Sequence, residues 1–318
     1  MTDESPSVDV RELHAITPAE ALALVDEHLG DPASWPSALM EYRLTAEFQS
    51  DWKEEVGHWL HCAKTHGFLD RLLAPINGEK RRGMNTGEIS ANDKRHLKLH
   101  QYLAPAFACH YLTGTGWTFD GYDTDVGGGV DVDVAMVSPD GGLTELQVKA
   151  PDQPGEVVAG RIHDGEFDGR IVKQLDHAVK QLPSPARSVG LVFLHAQRRR
   201  PIVSDCAFIV HHLVGSTLQH SSLQRVVLPR ENAGKFFTQG WGHIAAVVAV
   251  DFLRGELEAK YASTVFLNPN ATRPADPDWF LRASVLALRG DRFEWVRGEP
   301  GHHDLPSGTQ LVDRLPWG

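Results

Sequence analysis

The sequence predicts an α/β protein in which a mixed central β-sheet is flanked by helices and preceded by a helical N-terminal region. Three observations carry that prediction. Up to about residue 112, apolar residues recur at helical spacing. From residue 117 the period shortens to two, as in strands with one face buried. Beyond the first strands comes an amphipathic segment, RIVKQLDHAVKQL, and then VGLVFLHA, which is apolar at nearly every position, as a strand buried on both faces would be. At 318 residues and 42 % hydrophobic content, the chain can bury one large core or two modest ones.

Taken in order, MTDESPSVDV is acidic and polar and reads as disordered. It has neither the basic nor the apolar stretch of a secretory signal. Thr17 and Pro18 form an N-cap and first-turn pair ahead of the apolar stripe in AEALALVDEHL. ALMEYRLTAEFQSDWKEEVGHWLHCAKTHGFLDRLL continues in helical style. Glycines, asparagines and charges in INGEKRRGMNTGEISAND place a linker or exposed loop at about 76–93. A helix resumes near Lys94, with Pro105 expected to kink or divide it, and GTGW closes it. WTFDGYDT reads as strand and turn, GGGVDVDVAMV as a strand, SPDGG as a turn and LTELQVKA as the returning strand. A glycine-rich loop, PDQPGEVVAGRIHDGEFDG, leads into the amphipathic helix. CAFIVHHL is a further strand or short helix and HIAAVVAVDFL a buried strand or helix. YASTVFLNPNA ends in an Asn-Pro turn, and RASVLALRGDRFEWVRG is hairpin-like. The organisation expected is a helical region and linker over 1–93, an α/β core over 94–270 and an extension packed on it over 271–318.

Composition narrows the function. No apolar run approaches the ~20 residues of a membrane span. Three widely spaced cysteines, Cys62, Cys109 and Cys206, argue against a disulfide framework and for a reducing, cytoplasmic setting. The formal net charge of −11 weighs against phosphate binding, which draws on Lys and Arg. Basic residues nonetheless cluster: Arg170, Lys173, Lys180, Arg187, Arg198, Arg199 and Arg200 surround a lone Asp176. Either a nucleic-acid contact or a solvated face accounts for them. His58, His61, Cys62 and His66 fall within GHWLHCAKTH, but no second ligand pair stands at zinc-finger spacing.

The informative stretch is VGGGVDVDVAMVSPDGGLTELQVKAP. Side chains alternate across a strand, so Asp131 and Asp133 share one face. On the returning strand Glu145, Gln147 and Lys149 share a face, and a turn centred on Asp140 sets Asp133 approximately opposite Gln147. Oxygen ligands that hold a divalent cation, beside an ammonium that can orient water, form the set that phosphodiester hydrolysis needs. A half-exposed hairpin with a polar outer face produces the same pattern.

The order of elements, with GGGVDVDV followed by LQVKA, resembles the PD-(D/E)xK phosphodiesterases, most closely their Mrr-like restriction endonuclease branch with its Gln-x-Lys motif. The resemblance spans about residues 94–196, and KQLDHAV resembles the Gln-Leu helix that RecB-like members set beside the site. It implies a restriction-endonuclease-like core and a Mg²⁺- or Mn²⁺-dependent nuclease acting on DNA, with restriction or defence as a setting. It also implies a metal held by Asp133 and Gln147, with Asp131 the alternative aspartate. Glu145 would compensate for the neutral amide, Lys149 would act on the attacking water and Gln174 would support the site. Lys173, Lys180, Arg170, Arg198, Arg199 and Arg200 would then contact nucleic acid. A homodimer or a partner subunit is compatible with this reading. The acidic balance and the Gln at the second motif support another reading, a nuclease-fold protein without catalysis that binds nucleic acid or protein.

Overall fold

The computed structural model describes residues 16–30, 46–86, 95–125, 131–150, 164–184, 186–198, 207–215, 218–220, 225–230, 233–238, 240–253, 261–298, 305 and 307–313. The chain is mixed α/β, with a large mixed sheet flanked by helices. It divides into two compact units, Met1–Phe119 and Asp120–Gly318.

The described part of the first unit is mainly helical: α1 (Pro18–His28), α2 (Ala46–Thr65), α3 (Leu69–Thr86) and α4 (Arg95–Thr113). A capping box opens α1. The Thr17 hydroxyl accepts from the Glu20 N–H at 3.3 Å, while the Glu20 carboxylate accepts from the Thr17 N–H at 2.7 Å. Residues 31–45, which hold the start of the expected second helical segment, lie outside the described residues. The loop expected at 76–93 begins later than its composition suggests, because α3 continues to Thr86. Leu69, Leu72, Leu73 and Ile76 bury the helix's apolar stripe. A single glycine such as Gly78 costs only about 1 kcal/mol inside a helix anchored that way. Pro105 does not divide α4, and Gly116, at φ 94°, follows its end. Contacts group α4 with the first unit rather than with the sheet.

The second unit is built on an eleven-stranded sheet. Its strands are β1 (Thr118–Asp125), β2 (Asp131–Val137), β3 (Leu143–Lys149), β4 (Val189–Arg198), β5 (Leu218–His220), β6 (Arg225–Pro229), β7 (Ile244–Leu253), β8 (Tyr261–Leu267), β9 (Ser284–Arg289), β10 (Arg292–Arg297) and β11 (Thr309–Val312). Their spatial order is β1-β2-β3-β4-β7-β8-β9-β10-β11-β6-β5. The sheet therefore continues past residue 270, and the segment beyond it supplies three of the strands.

β2 and β3 form an antiparallel hairpin with Val134 opposite Leu146 and Ala135 opposite Glu145. Its turn is closed by the Ser138 hydroxyl, which donates to Asp140, and by Gly141 at φ 88°. β3 and β4 run parallel, so the chain needs a crossover, and α5 (Asp164–Lys180) lies on that path. β4 continues in parallel to β7, and β7 pairs antiparallel with β8. Between β4 and β5 runs α6 (Ala207–Leu213), the short-helix alternative for CAFIVHHL.

One apolar cluster joins Ile171, Leu175, Ala178 and Val179 of α5 to Val192 and Leu194 of β4 and to Val247 and Ala249 of β7. Paired residues on neighbouring strands share a face. Gln147 pairs with Val192 and Lys149 with Leu194, so both stand on the face that α5 covers.

Candidate functional site

The site lies at the end of the β2–β3 hairpin, where β3 finishes and β2 begins. Lys149 Nζ lies 3.0 Å from Gln147 Oε1 and donates to it, and lies 3.5 Å from Asp133 Oδ2. Asp133 Oδ2 also accepts from the Val148 N–H at 2.7 Å, so a side chain takes the role that a ladder carbonyl plays elsewhere in the hairpin. The Gln147 amide donates to the Asp131 carbonyl at 2.7 Å, which fixes which end of the amide faces Lys149. Gln147 is fully buried, and both ends of its amide are satisfied within this network.

Burial pushes the Asp133 carboxyl above the usual aspartate range. The Lys149 ammonium and the Val148 N–H pull it back in part, and the charge of Asp123 pushes it further up. Asp123, on β1 beside β2, has no counterpart in the sequence reading. It is the one non-glycine residue at positive φ (49°) among the described residues, a left-handed conformation that an aspartate tolerates better than most. No periodicity or motif singles it out; strand order alone brings it near Asp133.

The remaining expected residues separate into three groups. Asp131 contributes its backbone carbonyl, and its side chain is exposed. Glu145 is buried and accepts from the Ser188 hydroxyl at 2.5 Å; its bonding lies with the residue before β4 rather than with Lys149. Gln174 is half-buried on α5. Its buried Oε1 has no hydrogen-bond partner among the described residues. Of the basic residues, Lys173 and Lys180 are exposed on α5. Arg199 and Arg200, together with the side chains of Arg170 and Arg198, lie outside the described residues, as does the glycine run 127–129.

For a divalent cation the arrangement offers hard oxygen donors: the Asp133 carboxylate, Gln147 Oε1 and the nearby Asp123 carboxylate. An Mg²⁺ or Mn²⁺ ion would have to displace the Lys149 ammonium from Gln147 Oε1 to use these oxygens together. No described helix is long and apolar enough to cross a membrane. Comparison of the chain with protein-family models, with curated proteins and with solved structures finds no match.

Proposed function

We propose that the chain is a Mg²⁺- or Mn²⁺-dependent nuclease that hydrolyses phosphodiester bonds of DNA, on a core like that of the PD-(D/E)xK enzymes. The observation that carries this is that Lys149 lies 3.0 Å from Gln147 and 3.5 Å from Asp133 at one end of a hairpin. In this reading the divalent cation, when bound, neutralises charge on the phosphate and makes water a better nucleophile. Asp133 and Gln147 hold it through oxygen, Asp123 adds negative charge, and the ammonium of Lys149 orients the attacking water and steadies charge as it develops. Gln147 keeps its orientation because its amide is tied to the Asp131 carbonyl. Exposed Lys173 and Lys180 on α5 supply phosphate contacts, and Arg170, Arg198, Arg199 and Arg200 join them. A cytoplasmic setting, in which Cys62 and Cys109 stay reduced, belongs to the same proposal. So does a role in restriction or defence, with a homodimer or a partner subunit.

A second reading is favoured by one specific feature: the network is already closed. The Lys149 ammonium already bonds Gln147 and lies 3.5 Å from Asp133, and both ends of the Gln147 amide are hydrogen-bonded within the protein. A nuclease-fold protein without catalysis, acting as a binding subunit, would look the same.

Cleavage assays on single- and double-stranded DNA and on RNA, with Mg²⁺, Mn²⁺ or chelator, separate the two. The first reading expects metal-dependent DNA cleavage that falls by at least ~10²-fold in Lys149→Ala and Asp133→Ala, the scale of a lost acid–base or electrostatic group. A folded wild-type chain inert under every condition leaves the second reading standing.

A further inference from the structure

Cys62, His66 and Cys109 form a second cluster of ligating side chains, in the helical unit. We propose that they are a binding site for one zinc ion, with two thiolates and one imidazole as ligands and a fourth position open to water or a small ligand. The proposal does not rest on the nuclease reading.

The cluster is assembled by the packing of α2 against α4. The ligand atoms of all three residues lie within 4.8 Å of one another, and the two sulfurs are 3.4 Å apart. Four-coordinate zinc with Zn–S of about 2.3 Å sets neighbouring ligand atoms about 3.5–4 Å apart. To take the ion the two sulfurs part by a few tenths of an ångström, and the imidazole nitrogen, within 4.8 Å of them, closes by up to about 1 Å. Two sulfurs and an imidazole select Zn²⁺ over Mg²⁺ or Ca²⁺, which take oxygen.

Sequence and backbone explain why the residues meet. Cys62 and His66 are four apart, the spacing that stacks side chains on one helix face. His66 lies just past the α2 end, yet its N–H still bonds the Cys62 carbonyl at 3.0 Å, so it keeps helical register. The helix then stops at once: Gly67 takes φ 74° and the Phe68 N–H reaches back to the Ala63 carbonyl at 2.9 Å. This termination holds His66 on the last turn above Cys62. Cys109 arrives from α4, where Phe107 packs edge-on against Trp59 with ring centres 5.1 Å apart.

The surroundings suit a charged thiolate–cation unit. Cys62 and Cys109 are buried, as are Trp59 and Ala63 near Cys62 on α2 and Phe107 and Leu112 near Cys109 on α4, and attraction between unlike charges is little screened in such an interior. The two thiols touch one another, with the Cys62 thiol donating to the Cys109 sulfur at 3.4 Å. His66 is half-buried, more exposed than either cysteine, and packs against Phe119 with ring centres 4.8 Å apart.

The test uses the full chain, reduced, stripped with chelator and titrated with Co²⁺ as a spectroscopic stand-in for Zn²⁺. One equivalent of Co²⁺ should produce thiolate-to-cobalt charge-transfer absorption and the intense ligand-field bands of a tetrahedral centre, and Zn²⁺ should displace both. Cys62→Ser and Cys109→Ser should each lose most of the charge-transfer intensity, while Cys206→Ser should leave the bands unchanged. His66→Gln, at a half-exposed position the fold tolerates, should keep the charge transfer and weaken binding by more than about tenfold. A folded, fully reduced wild type that shows no charge transfer overturns the proposal. So does binding that survives in a folded Cys62→Ser/Cys109→Ser chain, or a chain isolated with Cys62 and Cys109 joined as a disulfide and no bound zinc.

Discussion

Asp133 carries a sign that can be checked without any substrate. Burial raises its proton affinity in the folded chain above that of the unfolded chain. In the pH window above the ordinary aspartate value the native state therefore holds more protons than the unfolded state. The stability associated with this carboxyl is full below the window and is lost as pH rises through it. Asp133→Asn removes the charge, and the amide oxygen can still accept from the Val148 N–H. The variant should melt at a higher temperature than wild type at neutral pH, with the difference closing as the solution is acidified below the aspartate range. A scan of Tm against pH checks this, and a lower Tm for the variant at neutral pH would show that the Lys149 contact outweighs burial. Asp133, Gln147 and Lys149 were legible in the sequence because alternation along two strands and the length of one turn suffice to set them opposite each other. Asp123 was not legible, since its place depends on β1 lying beside β2. Glu145 shares the period of Gln147 and Lys149, but bonding to Ser188 depends on how β4 joins the sheet.

At the scale of elements, the helix α5 and the strands on either side of it were the most readable part. An amphipathic run and a run apolar throughout are distinct signals with one joint solution, a crossover between parallel strands. The loop over 76–93 was read too early, because polar and glycine residues mark the exposed end of a helix as readily as they mark its absence. Two glycines test how tightly β4 and α5 are packed. A Cβ on Gly190 of β4 would stand 2.5 Å from the His243 carbonyl oxygen, at the irregularity in the β4–β7 register. Backbone there must move, so Gly190→Ala should cost about 1–3 kcal/mol, as overpacking does. A Cβ on Gly169 of α5 meets nothing within 4 Å, and Gly169→Ala should stabilise by about 0.5–1 kcal/mol. Urea denaturation of the two variants decides it; a Gly190→Ala chain as stable as wild type would mean that β4 and the start of β7 approach less tightly than this distance requires.

Across the whole molecule the net charge of −11 limits what nucleic-acid binding can look like. Long-range attraction is weak, so affinity must come from a few local cations, and it must fall with salt in proportion to the phosphates they neutralise. On the nuclease reading, Lys173→Glu should weaken DNA binding on every sequence alike and reduce the slope of log K against log salt by about one. An unchanged slope would remove Lys173 from the contact surface. Strand order carries a different consequence, for synthesis rather than for binding. β6 lies between β5 and β11 and pairs in parallel with β11, Val227 against Gln310. At ~5–20 residues per second, a ribosome makes the second partner of β6 on the order of ten seconds after β6 itself. During that interval β6 has an open hydrogen-bonding edge next to the buried side chains Val227 and Leu228. The nascent chain at this stage exposes the kind of strand edge that chaperones shield, and its yield in a cell should depend on how well that one edge is covered until β11 emerges.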